Sequence, residues 1–421
     1  MKQYTPSRRP SGRGQGRIPR TVVWLVACAA TARATDGLEP IAVSASAAAR
    51  GGASVAVGDS ALSQIDNPAT LTMWRRPRMD FSGQLLRAHQ EWSSPVGASA
   101  SDSAHPLVNI AFALPANERL TFGLAMQSKC GVGSHFEMRH VLIPFMKRHV
   151  ASDCKDVAFS FNAGYRLTER LSVGAGVRME VATARFNTVL GPADASFDRG
   201  YAYGGGFNVG ALYQMTERLA LGVGYRSPTW FTDVSGGEMR AALFGLAPVS
   251  MGAARILDFR LPQRISVGAA WDVTEWLKLV GEARWNNYAN TTFGRARISA
   301  DALGPLVMPL PLDYRDQWVF IGGAEFKLSE SWRLGVGYNY ATAIVRQSNL
   351  LPIMAPTVQH HVTAGVRYER ANWWVGVSYV LGLAPGVEGS GMSRLPLGVD
   401  YGESRLTQHQ HSVLLGFGFS L

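Results

Sequence analysis

Nowhere in the 421 residues is there an apolar run of about 18, the length a membrane-spanning helix needs. Any entry into a bilayer must therefore use strands. Charged residues make up only 17%, against about a quarter in ordinary soluble chains. With 45 glycines and 10% aromatics, that argues for one repetitive architecture rather than two or three soluble domains. No G-x-S-x-G or H-E-x-x-H motif is present, so the usual hydrolase and metalloprotease constellations are missing. Cysteine is scarce, with three in all and no C-x-x-C or zinc spacing. His360 and His361 are adjacent and so point to opposite faces of a strand, and His409 and His411 sit near a strand end; neither pair reads as a metal site.

The basic excess is local. Residues 1–34 carry seven Lys/Arg and no acid, so their removal lowers the net charge from +10 to +3. Thr21 to Ala30 is a short apolar stretch and Ala32-Arg33-Ala34 fits a small-x-small cleavage site, so residues 1–34 read as a signal peptide. Leu25-Val26-Ala27-Cys28 also fits a lipoprotein box with Cys28 lipidated, and both processing routes stay open. A nucleic-acid partner inferred from the high isoelectric point is excluded on this reading. Cys130 and Cys154 then remain, and two cysteines in an exported chain are expected to form a disulfide.

The last nine residues alternate. Val413, Leu415, Phe417, Phe419 and Leu421 share one face, a pattern suited to a barrel strand whose outer side meets lipid. From residue 78 onward the chain repeats this rhythm. In Trp276 to Trp285, Leu277, Leu279, Gly281, Ala283 and Trp285 oppose Lys278, Glu282 and Arg284. In Ser331 to Tyr340, Trp332, Leu334 and Val336 oppose Arg333 and Asn339. Next to hydrocarbon the charged face must point inward. Six short turns, such as Thr168-Glu169-Arg170, alternate with seven longer stretches near 92–105, 128–156, 190–200, 230–258, 293–312, 347–356 and 383–405. That predicts an all-β transmembrane antiparallel barrel of about 14 strands over residues 78–421. Trp285, Tyr288, Trp318, Tyr338, Tyr340, Trp373 and Trp374 fall near strand ends, as an interfacial girdle would.

Residues 35–77 differ. Ser44 to Gly58 is small and Ala/Gly-rich, too apolar for a solvated tail, and runs into Asp66-Asn67-Pro68-Ala69. Small side chains suit a compact piece threaded into a lumen, so the segment reads as a plug.

These stretches, taken in order, resemble the FadL/TodX family of outer-membrane transporters for long-chain fatty acids and hydrophobic compounds. Ser44-Ala45-Ser46 through Arg50, then Asn67-Pro68-Ala69 and Met73, resembles the family's N-terminal hatch. Phe122-Gly123-Leu124 leading to Gly131-Val132-Gly133, then Tyr225-Arg226-Ser227, Leu261-Pro262-Gln263-Arg264, Trp318 to Gly322, Arg333 to Tyr340 and His361 to Gly365 are similar to further family stretches. Lys129-Cys130 departs from the family's usual Pro-Phe, and Leu421 from its usual terminal Phe.

The resemblance implies a passive route in the outer membrane of a Gram-negative bacterium. The ligand is captured in an outer-loop groove, passes to a lumen pocket closed by the hatch, and leaves sideways beside a kinked third strand. Leu243, Phe244, Leu246, Leu306 and Met308, in loops unusually apolar for exposed segments, are the expected groove. Leu38, Ile41 and Val43 are the expected hatch contacts to the pocket, and Gly123 the expected kink. Lumen arginines Arg284, Arg333 and Arg367 belong to charge networks or receive a ligand carboxylate. The implied partners are a long-chain fatty acid or other hydrophobic small molecule, the lipopolysaccharide bilayer and the outer-membrane assembly machinery. No cofactor or metal is expected, and the chain is expected to be monomeric. A general porin, or an outer-membrane lipid-modifying enzyme, are the rival readings.

Overall fold

Alternation of large apolar with small or polar side chains covers fourteen segments, and each becomes a strand. The computed structural model describes residues 36–140, 143–190, 193–395 and 401–420; the expected signal peptide and Cys28 lie outside them. Besides shorter strands in the long connections, such as Val234–Leu243 and Val249–Ile256, the barrel strands are β1 (Arg78–Ser94), β2 (Gly97–Pro115), β3 (Leu120–His140), β4 (Ile143–Arg166), β5 (Leu171–Leu190), β6 (Ala193–Thr216) and β7 (Leu219–Arg226). They continue as β8 (Arg264–Asp272), β9 (Leu277–Asn286), β10 (Gln317–Lys327), β11 (Trp332–Ala341), β12 (His360–Glu369), β13 (Trp373–Leu383) and β14 (Arg405–Ser420). Each pairs antiparallel with the next, and β1 pairs with β14 from Arg78↔Ser420 to Ser93↔Arg405, which closes the barrel.

Period two sorts the faces as expected. Val413, Leu415 and Phe417 are exposed on the outside, and Ser412 and Leu414 are buried inside. On β9, Leu279 faces out while Glu282 and Arg284 are buried in the lumen. The outer apolar face, with Met179 at 72% and Leu415 at 60% exposure, is a surface only hydrocarbon would cover.

Two expectations are corrected. The stretches 92–105, 128–156 and 190–200 are not loops; they are the far ends of the β1–β2, β3–β4 and β5–β6 hairpins, paired out to Ser94↔Gly97, His140↔Ile143 and Leu190↔Ala193. Beyond the apolar band the outward face becomes polar, as at Glu137, Arg139 and Lys147, while Phe136, Met138 and Val150 stay buried inside and the backbone ladder continues. Tyr288 and Trp374 are not girdle residues. Both are buried to 1% exposure, whereas Trp318, Tyr338 and Trp373 face outward. Adjacent Trp373 and Trp374 must take opposite faces, and Trp374 turns inward, where its Nε1 donates to Asp80 at 2.8 Å.

Residues 36–74 pack against the inward strand faces. Ser44 caps a short helix, Ala45–Ala49, by accepting from the Ala47 amide. Asn67 caps the 3-10 turn Pro68–Met73, with Pro68 at its first position, where a missing N–H costs nothing. The Asn67 side-chain amide also donates to Val55 O at 2.7 Å and to Ala211 O on β6 at 3.0 Å. Asn67-Pro68-Ala69 is thus a cap and a wall contact at once. The barrel wall is thinned to receive this segment: a Cβ at Gly174 would stand 2.4 Å from Ala69 N, and one at Gly222 2.2 Å from Val55 O.

Candidate ligand chamber and breach in the barrel wall

Above the inner segment lies an apolar cavity of about 80 Å³. Phe186 of β5 lines one side. Ser152 to Cys154 of β4 also line it, and three connections supply most of the apolar wall: Ile256 and Phe259 between β7 and β8, Phe293, Leu312 and Tyr314 between β9 and β10, and Leu351, Ile353 and Met354 between β11 and β12. Their rings touch in sequence, Phe259 to Phe293 at 6.5 Å and Phe293 to Tyr314 at 5.6 Å between centroids. The last connection is tied down across the barrel mouth. The Ile353 carbonyl accepts from Ser152 Oγ at 2.5 Å and from Ser134 Oγ at 3.3 Å.

Leu38, at the start of the described chain, forms the chamber's inner wall. Its amide donates to the Tyr288 hydroxyl at 3.2 Å. A second cavity of about 40 Å³ lies on the far side of the same three residues, Leu38, Ile353 and Met354. Its other walls are Leu86, Ala88 and Gln90 of β1, His105 of β2, Gly133 and Ser134 of β3 and Gln408 and Gln410 of β14.

That second cavity backs onto a break in the barrel. Among the described residues the β2–β3 ladder runs only from Pro115↔Thr121 to Asn109↔Gln127, although both strands continue and stay paired on their other sides. At its end the Ser128 amide donates to Asn109 Oδ1, and Ser128 Oγ bridges the Val108 amide and carbonyl. Farther out, among the described residues, the His135 and Glu137 amides donate to the side chains of Ser101 and Ser99. The cause is a bulge: the β3–β4 register skips Lys129 between Ser128 and Cys130. One extra residue swaps the faces, so Thr121, Ala125 and Gln127 are buried before it and Ser134, Phe136 and Met138 after it.

Gly123 is therefore not the kink. It pairs without interruption to Ala113 and Asn162, and its bare Cα makes room for Gln64, whose Oε1 a Cβ would meet at 2.1 Å. The bulged Lys129 is buried against Asp156 (3.3 Å) and Glu180. The register sets Cys130 opposite Asp156 and Cys154 opposite Val132, an offset of two residues. The Cys130 side chain lies outside the described residues.

Charge networks bind the inner segment to the wall. Arg284 pairs with Glu282 (2.6 Å) and donates to Ile41 O and Gly52 O. Arg367 pairs with Asp59 and Glu369, and Arg333 with Glu325 and Glu369. Of the two roles expected for these arginines, the lumen network is the one they occupy. Glu39 is clasped by Arg226 (2.6 Å) and Arg264 (2.9 Å). Burial alone would raise its carboxyl, but the two guanidiniums hold it well below the usual carboxylate range.

Of the expected contacts, Leu38 lines the chamber. Ile41 and Val43 do not; each is buried in a separate cluster, Ile41 with Val380 and Leu414, Val43 with Leu62 and Leu71. The chain turns at Gly37–Leu38 and bends at Ile41 and Val43, which sends these side chains to different walls and leaves Leu38 at the chamber. Leu243, Phe244, Leu246 and Leu306 are each more than half exposed, and Met308 is partly buried and packs beside the chamber. Sequence reasoning missed Phe259, Phe293 and Leu351 to Met354. Leu350-Leu351-Pro352-Ile353-Met354 is an apolar run inside a predicted loop, and that is the signal that would have found them.

The same barrel occurs in solved structures. The Pseudomonas putida toluene transporter TodX superposes with a TM-score of 0.76 at 17% identity, over 90% of this chain and 99% of that one. A Pseudomonas aeruginosa FadL homologue gives 0.75 at 14%, over 91% and 99%. The Ralstonia pickettii toluene transporter TbuX gives 0.71 at 19%, over 92% and 99%. No curated protein matches the chain by sequence. Residues 24–382 match the family described as outer membrane protein transport protein (OMPP1/FadL/TodX), and the chain, an outer-membrane β-barrel transporter of hydrophobic compounds rather than an enzyme, belongs to that family.

Proposed function

We propose that this protein passes a compact, uncharged hydrophobic molecule through the outer membrane, with residues 36–74 as its hatch. The ligand first adsorbs on Leu243, Phe244, Leu246 and Leu306, where each buried CH₂ gains about 0.8 kcal/mol. It then enters the ring-lined chamber, passes the Leu38–Met354 divider into the second cavity, and leaves sideways between β2 and β3. The observation that carries this reading is the alignment of the two cavities with the one edge where the β2–β3 ladder stops.

Size favours a ring over a long chain. An apolar cavity of about 150 Å³ admits benzene. The two cavities here, joined by displacement of Leu38, approach that range, whereas a long acyl chain needs far more room. The toluene transporters among the similar structures agree with this preference. A long-chain fatty acid is the second reading, supported by Asp153 and Arg185, which face each other at the chamber margin and offer polar contacts for a headgroup.

The test is uptake of labelled toluene and labelled oleate by cells lacking their own hydrophobic-compound transporter. Toluene entry that rises on expression, with oleate unchanged, is the expected result. Steady ion conductance in planar bilayers with neither uptake raised would transfer the protein to the porins.

A further inference from the structure

The outward face of the barrel carries one polar patch that transport of a hydrophobic molecule does not use. On β1 and β14, Arg87 stands opposite His411 and His89 opposite His409. Directly below them in the same outward rows are Leu85 and Val413, both facing lipid. The height of this patch follows from the register. Phe419 lies opposite Trp373 at the end bearing the short turns, which in such barrels is periplasmic. His409 lies about ten residues farther along β14, or roughly 25 Å along the axis at about 3.3 Å per residue and a tilt of about 40°. That is the full height of the apolar band, so the patch sits at the outer headgroup level.

Its chemistry differs from most of that level, although His360 also lies there, beside Tyr338. The outer ends of β7, β9, β10 and β11 carry Tyr225, Trp285, Trp318, Tyr338 and Tyr340, an aromatic girdle. Here the positions hold arginine and histidine instead. The nearby carboxylates are already engaged: His89 Nδ1 meets Asp102 at 2.8 Å and Nε2 meets Glu91 at 3.3 Å. The His409 ring stacks on His89 at 6.2 Å, and His411 Nδ1 meets the Tyr379 hydroxyl. Arg87 is exposed and, among the described residues, makes no hydrogen bond or ion pair.

We propose that Arg87, with His409 and His411, docks a phosphate group of an outer-leaflet glycolipid. A guanidinium at the rim of the hydrocarbon matches a phosphate in charge and in its paired donors. The acyl chains of the same lipid would lie along Leu85, Val413 and Leu415 beneath it. His89 contacts both Asp102 and Glu91, and as an imidazolium it offsets one of the two negative charges that would repel the anion.

The full chain in dodecyl maltoside is titrated with bisphosphorylated lipid A, with dephosphorylated lipid A and with inorganic phosphate, and bound lipid is counted by native mass spectrometry. The wild type should retain the phosphorylated lipid about tenfold more tightly than the dephosphorylated one. Combining Arg87→Gln, His409→Asn and His411→Asn should bring that ratio to within about twofold of unity while the protein keeps the gel mobility of a folded barrel. If the triple variant does not fold, Arg87→Gln alone, at an exposed site, should lower the ratio about threefold. An equal hold on both lipids by the wild type, or an unchanged ratio in the folded variants, overturns the proposal. Inorganic phosphate that binds as tightly as the phosphorylated lipid would also overturn it, because the site would then serve a free anion.

Discussion

Glu282, on β9, clasps the backbone of Val55 in the inner segment: one carboxylate oxygen accepts from the Val55 amide at 2.9 Å and from the Ser54 amide at 2.7 Å. Its other oxygen accepts from Arg284 Nε, and Arg284 in turn reaches Ile41 O and Gly52 O. Replacing Glu282 with alanine strands two buried amides and a buried guanidinium. Breaking a buried pair in this way costs about 3–5 kcal/mol. Glu282→Ala should therefore lower the thermal unfolding midpoint in detergent sharply. Glu282→Gln, which still offers an acceptor, should lower it less. Equal midpoints for the two variants would mean that the clasp is not what holds Val55.

Residues 36–74 pack against the inward strand faces, and as the proposed hatch they would close the lumen, so deleting residues 36–73 should open a water path. Single-channel conductance in planar bilayers should rise from near the baseline to the level of an open barrel. An unchanged conductance would mean that the segment does not obstruct the lumen, and the hatch assignment would fall.

Gly222 offers the same result by a single substitution. Its missing Cβ lets Val55 O approach to within 2.2 Å of where that atom would be. Backbone cannot yield as a flexible side chain does, so Gly222→Leu should expel the local segment while the outer face of β7 stays intact. The expected readout is conductance approaching that of the deletion, with the barrel still folded by circular dichroism. Gly322, where an added Cβ meets nothing within 4 Å, is the control, and Gly322→Ala should leave conductance unchanged.

The architecture was legible because lipid imposes a simple code. Val413, Leu415 and Phe417 must face outward in any closed barrel at a membrane, and the turn at Thr168-Glu169-Arg170 must end a hairpin whatever surrounds it. Once the alternation stops carrying solvent information, legibility stops too. Ser99 and Ser101 look like loop residues because their strand has left the bilayer, yet their hydroxyls link the outer ends of β2 and β3. The kink was assigned to Gly123 on residue type. The structure puts it at Lys129, where the alternation itself slips by one between Gln127 and Ser134. That slip is present in the sequence, six residues beyond Gly123. The chamber was hidden for a different reason. Phe186, Phe259, Phe293 and Ile353 come from four separate connections or strands, and no local pattern reports that they converge.

The Glu39 clasp gives a pH prediction. Glu39 is held below the usual carboxylate range, because Arg226 and Arg264 outweigh the opposing effect of burial. In an unfolded chain its carboxyl would titrate near about 4.3. A carboxyl depressed by folding contributes stability that is fully present above that unfolded value and is lost as pH falls through the folded one. Between about pH 7 and pH 5 the clasp should therefore hold without change, and it should weaken only in stronger acid. Glu39→Gln removes the charge at every pH and leaves Arg226 and Arg264 without their buried counter-ion. The variant should be less stable than the wild type at pH 7, and the gap between their unfolding midpoints should narrow below about pH 4. Midpoints in detergent at pH 7, 5, 4 and 3 would measure it; a gap that stays constant down to pH 3 would show that Glu39 is not stabilised as an anion by the two arginines.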